Sequence, residues 1–459
     1  MSVTVEIVQE GWVLHWLNIL CCLGISGFLL LLAFSSYQEK EFRAVKISLG
    51  MLAGNLIFWH LVDHALPWGL NALILLFVAA FTGISLARFF PKSQPPRDTS
   101  RAEIFDERDQ MFSRNNLPSH PQDMEEFYGR HPEFESIDRQ IHNKPDFGSP
   151  EQTFHDDYAV PLYEAAFEYL PQTIPASNGE LSPRKENINI KKITKTLKAM
   201  VRYYGGCDMG IVKLAPYHFY SHKGRHAQDW GKETDPTYKT AVVIVTAMDP
   251  AMLKKAPTGS IIQESARHYV EAAKISNILA GYLRKFGYRA RAHNDANYET
   301  LCVPLAVESG MGELGRMGIF MHPVHGPCVR LAVVTTDMEL PSTVSSQENH
   351  MAEFCRICKK CADNCPSKSI CRGGEPSSRN FRHWSIDQEK CFSYWKTIGS
   401  DCGMCIAVCP YTKPDTPIHR LVRFYISRNP VNQRIALWMD DLFYGRIHRI
   451  SGKNPERIF

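Results

Sequence analysis

Two stretches near the N-terminus carry no charge: "WVLHWLNILCCLGISGFLLLLAF" at 12–34 and "ALPWGLNALILLFVAAFTGISLA" at 65–87. Each exceeds the roughly 20 apolar residues that a helix needs to cross the hydrocarbon of a bilayer. Between them, "ISLGMLAGNLIFWHLV" at 47–62 is shorter and weaker, and reads as a third span. The polar stretch "PKSQPPRDTSRAEIFDERDQ" at 91–110 reads as a linker, with prolines at 91, 95 and 96. Residues 190–215 begin as a basic amphipathic helix and run into "GGCDMGIVKL". "KTAVVIVTAM" at 239–248 and "CVRLAVVTT" at 328–336 have the β-branched character of buried strands. From Ile262 to Phe286, the residues Tyr269, Ala273, Ile278, Tyr282 and Phe286 recur at spacings of four or five, which predicts a helix with one apolar face. Strands alternating with helices over 195–345 predict an α+β or α/β layer, without a solenoid-length repeat.

Charge orients the apolar spans. No Lys or Arg precedes Lys40, the loop at 35–46 holds Lys40, Arg43 and Lys46, and Arg88, Lys92, Arg97 and Arg101 follow the last span. Neither a signal peptide nor a twin-arginine leader is expected from such a start, so the anchor should be retained. The positive-inside rule then puts the N-terminus outside and residues 88–459 in the cytoplasm. A formal net charge of +4 on 459 residues gives no reason to invoke nucleic acid, and the basic tail from Arg420 to Arg457 reads as a solvated or membrane-facing surface. His60 and His64, four apart at the end of the second span, could ligate a haem or touch a quinone, but interfacial histidines are the simpler reading.

Nine of the 14 cysteines fall between 355 and 409, which speaks for metal ligation in a reducing compartment rather than a disulfide framework. "CRICKKCADNCP" at 355–366 is the complete bacterial ferredoxin run, in which three thiolates hold one cubane and the fourth reaches a neighbouring cluster. By that logic Cys355, Cys358, Cys361 and distant Cys409 hold one [4Fe–4S] cluster. Cys365, Cys402 and Cys405 give three ligands of a second. "CGMCIAVCP" at 402–410 lacks its opening cysteine, because Gly399 stands there. Cys391 is the simplest replacement, on a lengthened loop, and Cys371 is left unassigned. Structural zinc is a poor alternative, since zinc sites seldom interleave two four-cysteine sets ending in proline. Cys21, Cys22, Cys207, Cys302 and Cys328 lie in apolar runs and read as buried inert thiols.

The stretch "VPLAVESGMGELGRMGIFMHPVHGPCVRLAVVTTDMELP" at 303–341, followed by the two cysteine runs with the displaced ligand, closely resembles the corrinoid- and iron–sulfur-dependent reductive dehalogenases over roughly residues 100–415. "AFSSYQEKEFRAVKISLGM" at 33–51, with Glu39-Lys40-Glu41, resembles the membrane-anchor subunit that accompanies those enzymes as a separate protein. The resemblance implies an anchor fused to a catalyst: three N-terminal transmembrane helices, a nitroreductase-like core holding a base-off cobamide, and a ferredoxin-like domain with two [4Fe–4S] clusters. It implies that electrons pass through the clusters to cobalt and that halide is removed from an organohalide. It also implies a tyrosine proton donor supported by an asparagine and a cation, which fall on Tyr269 in "ARHYVEAAK", on Asn294 or its neighbour Asp295 in "RAHND", and on Arg330 in "GPCVRL". The chemistry is coherent, because a phenol is too weak an acid unless a cation stabilises its anion, and Arg stays charged when buried. Gly312, Glu313, Leu314, Gly315, Arg316 and Met317, in a glycine-rich loop, become candidates for contact with the corrinoid.

The expected organisation is an anchor at 1–90, a linker and leading part at 91–190, the corrinoid-binding core at 191–345, the ferredoxin-like domain at 346–415 and a C-terminal extension at 416–459. Expected partners are an organohalide, membrane lipid and an electron donor, either a quinol or a ferredoxin or flavodoxin; a homodimer is left open. Two rivals stand beside this reading. One is an epoxyqueuosine-reductase-like enzyme, whose V-D-[ST] aspartate is missing from "ETLCVPLAVESG" at 299–310. The other is a non-catalytic membrane electron carrier.

Overall fold

The computed structural model describes residues 2–88, 104–119, 121–295, 297–343, 350–373, 377–378, 381–382 and 384–450. The linker read at 91–110 therefore lies outside the described residues up to 103. Contacts divide the chain into two units, Met1–Lys92 with Pro414–Arg446, and Ser93–Lys413 with Ile447–Phe459.

In the first unit the apolar runs form α1 (Ser2–Gln38), α2 (Phe42–His64) and α3 (Trp68–Leu86), each long and apolar enough to cross a membrane. Leu20, Leu23, Leu31, Leu76 and Phe77 are exposed, as lipid-facing side chains would be. Polar groups are instead tied between helices. Asn55 Nδ2 donates to Ser26 Oγ at 3.0 Å, and the Asp63 carboxylate accepts from Asn18 Nδ2 at 3.0 Å and meets His15 Nδ1 at 2.6 Å. The rings of His60 and His64 pack edge to face, 4.7 Å between centroids.

Two C-terminal helices, Pro417–Ile426 and Pro430–Tyr444, belong to this unit. The end of α3 leaves orphan carbonyls. Asn429 Nδ2 satisfies those of Ile84 and Ala87, Arg428 that of Leu86 and Asn432 that of Ser85. On the α1–α2 loop, buried Glu39 meets His419 Nε2 at 2.7 Å. The extension expected at 416–459 is thus divided, with residues up to Arg446 joining the anchor unit.

The second unit is built on a four-stranded sheet of order β1-β2-β6-β3. Its strands are β1 (Asp208–Lys213), β2 (Thr240–Ala247), β3 (Ala290–His293) and β6 (Val329–Thr336), and every pairing is antiparallel. A short hairpin of β4 (Glu313–Leu314) and β5 (Phe320–Met321) lies between β3 and β6 in sequence. Strands alternating with helices left α+β and α/β layers open; the layers are present, and the antiparallel pairing makes the unit α+β.

Both sheet faces are covered, which is why β2 reads as an unbroken apolar run. Val242, Ile244 and Val334 pack against two helices, α5 (Ile190–Tyr203) and α6 (Gly259–Lys285), while Val243, Val245 and Val333 pack against Phe320 and Leu305 of α7 (Cys302–Glu308). Helix α4 (Ala159–Gln172) packs on α6 as well. Burial on α6 is wider than the expected stripe: Ala273 of the stripe is buried and Tyr282 and Phe286 pack half-buried against the core, but Ala272, Ile275, Leu279 and Leu283 are buried as well. With the sheet on one side and α4 on another, burial does not single out one helical face.

Candidate active site

Arg330 lies on β6, opposite Thr246 of β2. Side chains alternate along a strand, so Arg330 shares its face with Val334, the face that packs on α6. There its guanidinium carbon sits 5.0 Å from the centroid of the Tyr269 ring, and Nη2 donates to Ser265 Oγ at 2.6 Å. Ser265 also donates to Asp401, directly before Cys402. Burial pushes the Tyr269 phenol up to about 12, and the Arg330 charge opposes that rise. The hydroxyl thus stays protonated at neutral pH beside a cation that favours its anion.

Tyr269, Arg330 and Asp295 line one cavity of about 620 Å³. Asn294 does not. It follows β3 with its side chain turned toward α6, where Nδ2 donates to Ser276 Oγ and Asn277 Oδ1, both at 3.3 Å. The next residue, in the turn, faces the cavity.

A second cavity of about 630 Å³ adjoins the first and shares Phe112, Leu301, Val303, Pro304 and Trp395 with it. The shared walls are mainly apolar. Buried without hydrogen-bond partners are the Thr300 hydroxyl in the wall of the first cavity and the Trp384 indole N–H in that of the second. A large planar ligand with a polar periphery suits such walls, because it fills the apolar space and satisfies the orphan groups.

The glycine-rich loop divides its labour. Leu314 and Met317 line cavities. Gly312 and Gly315 are required by the hairpin: a Cβ on Gly312 would come within 2.1 Å of the Met321 carbonyl oxygen, and one on Gly315 within 2.8 Å of Met321 Cγ. Glu313 reaches the helix α8 (His350–Cys358) and accepts from the backbone N–H of Met351 and Ala352 at 3.2 and 2.8 Å, capping its N-terminus. Burial pushes this carboxyl up to about 7. Arg316 is buried, and its guanidinium donates to the carbonyls of Cys355, Cys371 and Gly373 at 3.0, 2.8 and 2.7 Å. Glu313 and Arg316 therefore brace the cysteine loops.

Cys355, Cys358, Cys361 and Cys409 line one small cavity, between Phe354 and Tyr411. Cys365, Cys391, Cys402 and Cys405 line the same large cavity as Tyr269 and Arg330. Cys358-x-x-Cys361 and Cys402-x-x-Cys405 each turn through a left-handed residue directly after the first cysteine, Lys359 at φ 59° and Gly403 at φ 66°. Among the described residues, no three His, Cys, Asp or Glu side chains converge as a single metal ion would require. Sulfurs spread around a cavity suit a multi-iron cluster better than zinc. Burial and neighbouring thiols push Cys355, Cys361 and Cys391 up to about 12, so these groups need the charge of bound iron to ionise.

Cys391 is presented by a helix, α9 (Gln388–Ile398), and not by the lengthened loop expected from its spacing. Gly399 ends that helix at φ 78°, and a Cβ there would lie 2.5 Å from Gln152 Oε1. The position of the absent cysteine is a helix C-cap. Cys371 is exposed, its Sγ accepting from Gly373 N–H at 3.2 Å. Cys302, read as inert, lies in the cavity wall. Arg225, Tyr298 and Asp401 line the cavity too. Pattern reading passes over them because they sit in connections without periodicity.

The family described as 4Fe–4S dicluster domain matches residues 354–413. Over 227 residues, 47% of the chain, the sequence is 34% identical to a tetrachloroethene reductive dehalogenase of Desulfitobacterium hafniense, covering 40% of that protein. The chain is related to the reductive dehalogenases. A tetrachloroethene reductive dehalogenase of Sulfurospirillum multivorans is likewise 34% identical over 223 residues, 47% of this chain and 44% of that one. The chain thus spans less than half the length of these curated relatives. In fold it resembles the catabolic reductive dehalogenase NpRdhA, with a TM-score of 0.64 and 21% identity, covering 80% of this chain and 50% of that one.

Proposed function

We propose that the chain is a membrane-anchored reductive dehalogenase that replaces the halogen of an organohalide by hydrogen, using a corrinoid and two [4Fe–4S] clusters. One observation carries this reading: a single cavity is lined at once by Tyr269, by Arg330 and by the quartet Cys365, Cys391, Cys402 and Cys405. Proton source, charge and electron entry meet there.

Leu301, Val303, Pro304 and Met317 would flank the corrinoid, with Thr300 and Trp384 meeting its polar periphery. When bound, the corrinoid supplies low-valent cobalt able to break a carbon–halogen bond, and the clusters relay the electrons. The net change consumes two electrons and one proton, forms a C–H bond and releases halide. Tyr269 donates the proton from its hydroxyl. Arg330 then faces the phenolate and lowers its cost, while Ser265 fixes the guanidinium. Asn294 acts from behind, bonded to Ser276 and Asn277 of α6.

The spans hold this unit at a membrane. Lys40 on the α1–α2 loop and Arg43 and Lys46 in the first turns of α2 favour a cytoplasmic position for that loop, and the bond of His419 to Glu39 supports the same side for the C-terminal helices. A reporter fused to the C-terminus should be active only inside the cell; activity only outside would reverse the orientation.

Extraction of the purified protein tests the cofactor set. About one corrinoid per chain beside bound iron is expected, whereas iron without corrinoid would make the chain an electron carrier.

A further inference from the structure

A vestibule of about 600 Å³ leads toward the inner cavity and shares Phe112, Phe167, Trp395, Arg225 and Asp401 with it. Arg225 stands at this junction. Its guanidinium carbon is 5.2 Å from the centroid of the Phe112 ring, and its Nε is buried without a hydrogen-bond partner. Among the described residues its guanidinium makes no hydrogen bond or ion pair. Arg330, in the same cavity, is by contrast held by Ser265 and faces Asp401. The half-buried side chain thus presents its cation to the junction, and an anion is the ligand that suits it.

The surroundings narrow the ligand. Phe112, Phe167 and Trp395 offer ring faces against which an aromatic ligand can pack, and a guanidinium stacked on Phe112 keeps its edge free for a two-point bond to a carboxylate. The charge of Arg225 favours the anions of Tyr269 and Tyr298 across the cavity. Glu107, the carboxylate that feels this charge, is engaged by the Gly224 N–H at 2.8 Å. Glu164 and Glu168 in the vestibule wall are exposed, so solvent screens them.

We propose that Arg225 recognises the carboxylate or phenolate of a halogenated aromatic substrate, which selects anionic haloaromatics over neutral organohalides. The inference rests on the dehalogenase reading and adds the substrate class. It departs from the neutral tetrachloroethene for which the sequence relatives are named.

The test is equilibrium binding to the full-length holoprotein in detergent, with 3-chlorobenzoate and its uncharged methyl ester as probes. Wild type should bind the acid about 10-fold or more tightly than the ester, the scale of one charge-assisted hydrogen bond. Arg225→Gln should bring the two affinities together, and Arg225→Lys should keep part of the preference. Corrinoid and iron contents should match wild type in both variants. Equal affinities in wild type, or a preference that survives in Arg225→Gln, would overturn the proposal. So would loss of corrinoid with iron retained in Arg225→Gln, because the cation would then belong to the phosphodiester of the cofactor. If Arg225→Gln does not fold, the wild-type acid-to-ester ratio and Arg225→Lys still decide. Halide release without any preference for the anion sinks this inference alone; a preference that stands in a protein releasing no halide sinks the dehalogenase reading instead.

Discussion

Arg330 lies across the face of Tyr269, guanidinium carbon 5.0 Å from the ring centroid, on a strand whose alternation aims it at the helix that carries the tyrosine. Burial pushes the phenol up to about 12, and the neighbouring Arg330 cation opposes that rise. Tyr269→Phe should keep corrinoid and iron yet lower turnover by roughly 100-fold or more, the scale of a lost general acid. Arg330→Lys should be milder than Arg330→Met. Near-normal turnover in Tyr269→Phe at matched cofactor content would return the residue to a packing role.

Cys391 shares a cavity wall with Cys365, Cys402 and Cys405, whereas Cys371 is exposed. Iron analysis should therefore separate the two thiols. Cys391→Ala should lose or weaken one cluster, dropping from about eight irons per chain toward four, and Cys371→Ala should keep about eight. The reverse pattern would make Cys371 the displaced ligand.

Burial pushes the Glu107 carboxyl from an ordinary value of 4.5 up to about 7. Folded protein then holds a proton that unfolded protein releases between those values, so this group favours folding less as pH rises through that window. Glu107→Gln keeps an acceptor for the Gly224 N–H without a buried charge. Its thermal stability relative to wild type should increase from pH 5 to pH 8, by an amount of the order of 3 kcal/mol at most. Melting curves that run parallel across this range would refute the assignment.

The pair Glu39–His419 is buried on both sides at 2.7 Å. Leaving one side of such a buried hydrogen bond unpaired typically costs about 1–3 kcal/mol. Glu39→Ala should therefore speed limited proteolysis within Pro414–Arg446 while α1, α2 and α3 remain membrane-inserted. Unchanged cleavage kinetics would remove the loop's role in holding the C-terminal helices.

The spans, the strands and the two cysteine runs were legible because each follows a local rule: continuous apolarity, β-branched runs and fixed cysteine spacing. The rest depended on tertiary contact. Nothing in a helical pattern says that α6 is covered from two sides, so its burial extends beyond the stripe. Gly399 looked like a missing ligand in sequence and is a helix cap in space, which turns the expected loop around Cys391 into α9. Glu313 and Arg316 sat in a loop suited to ligand contact but reach the cysteine loops, a relation across some forty residues that spacing does not encode. Arg225 and Asp401 carry no motif and are brought to the cavity by connections alone.

The central claim is that this cavity breaks carbon–halogen bonds, and halide release from the purified, corrinoid-loaded protein tests it most directly. With reduced viologen as electron source, the protein should release halide from tetrachloroethene or a chlorinated benzoate, in proportion to corrinoid content and with one halide for each C–H bond formed. No halide from either class, at about one corrinoid and eight irons per chain, would contradict it.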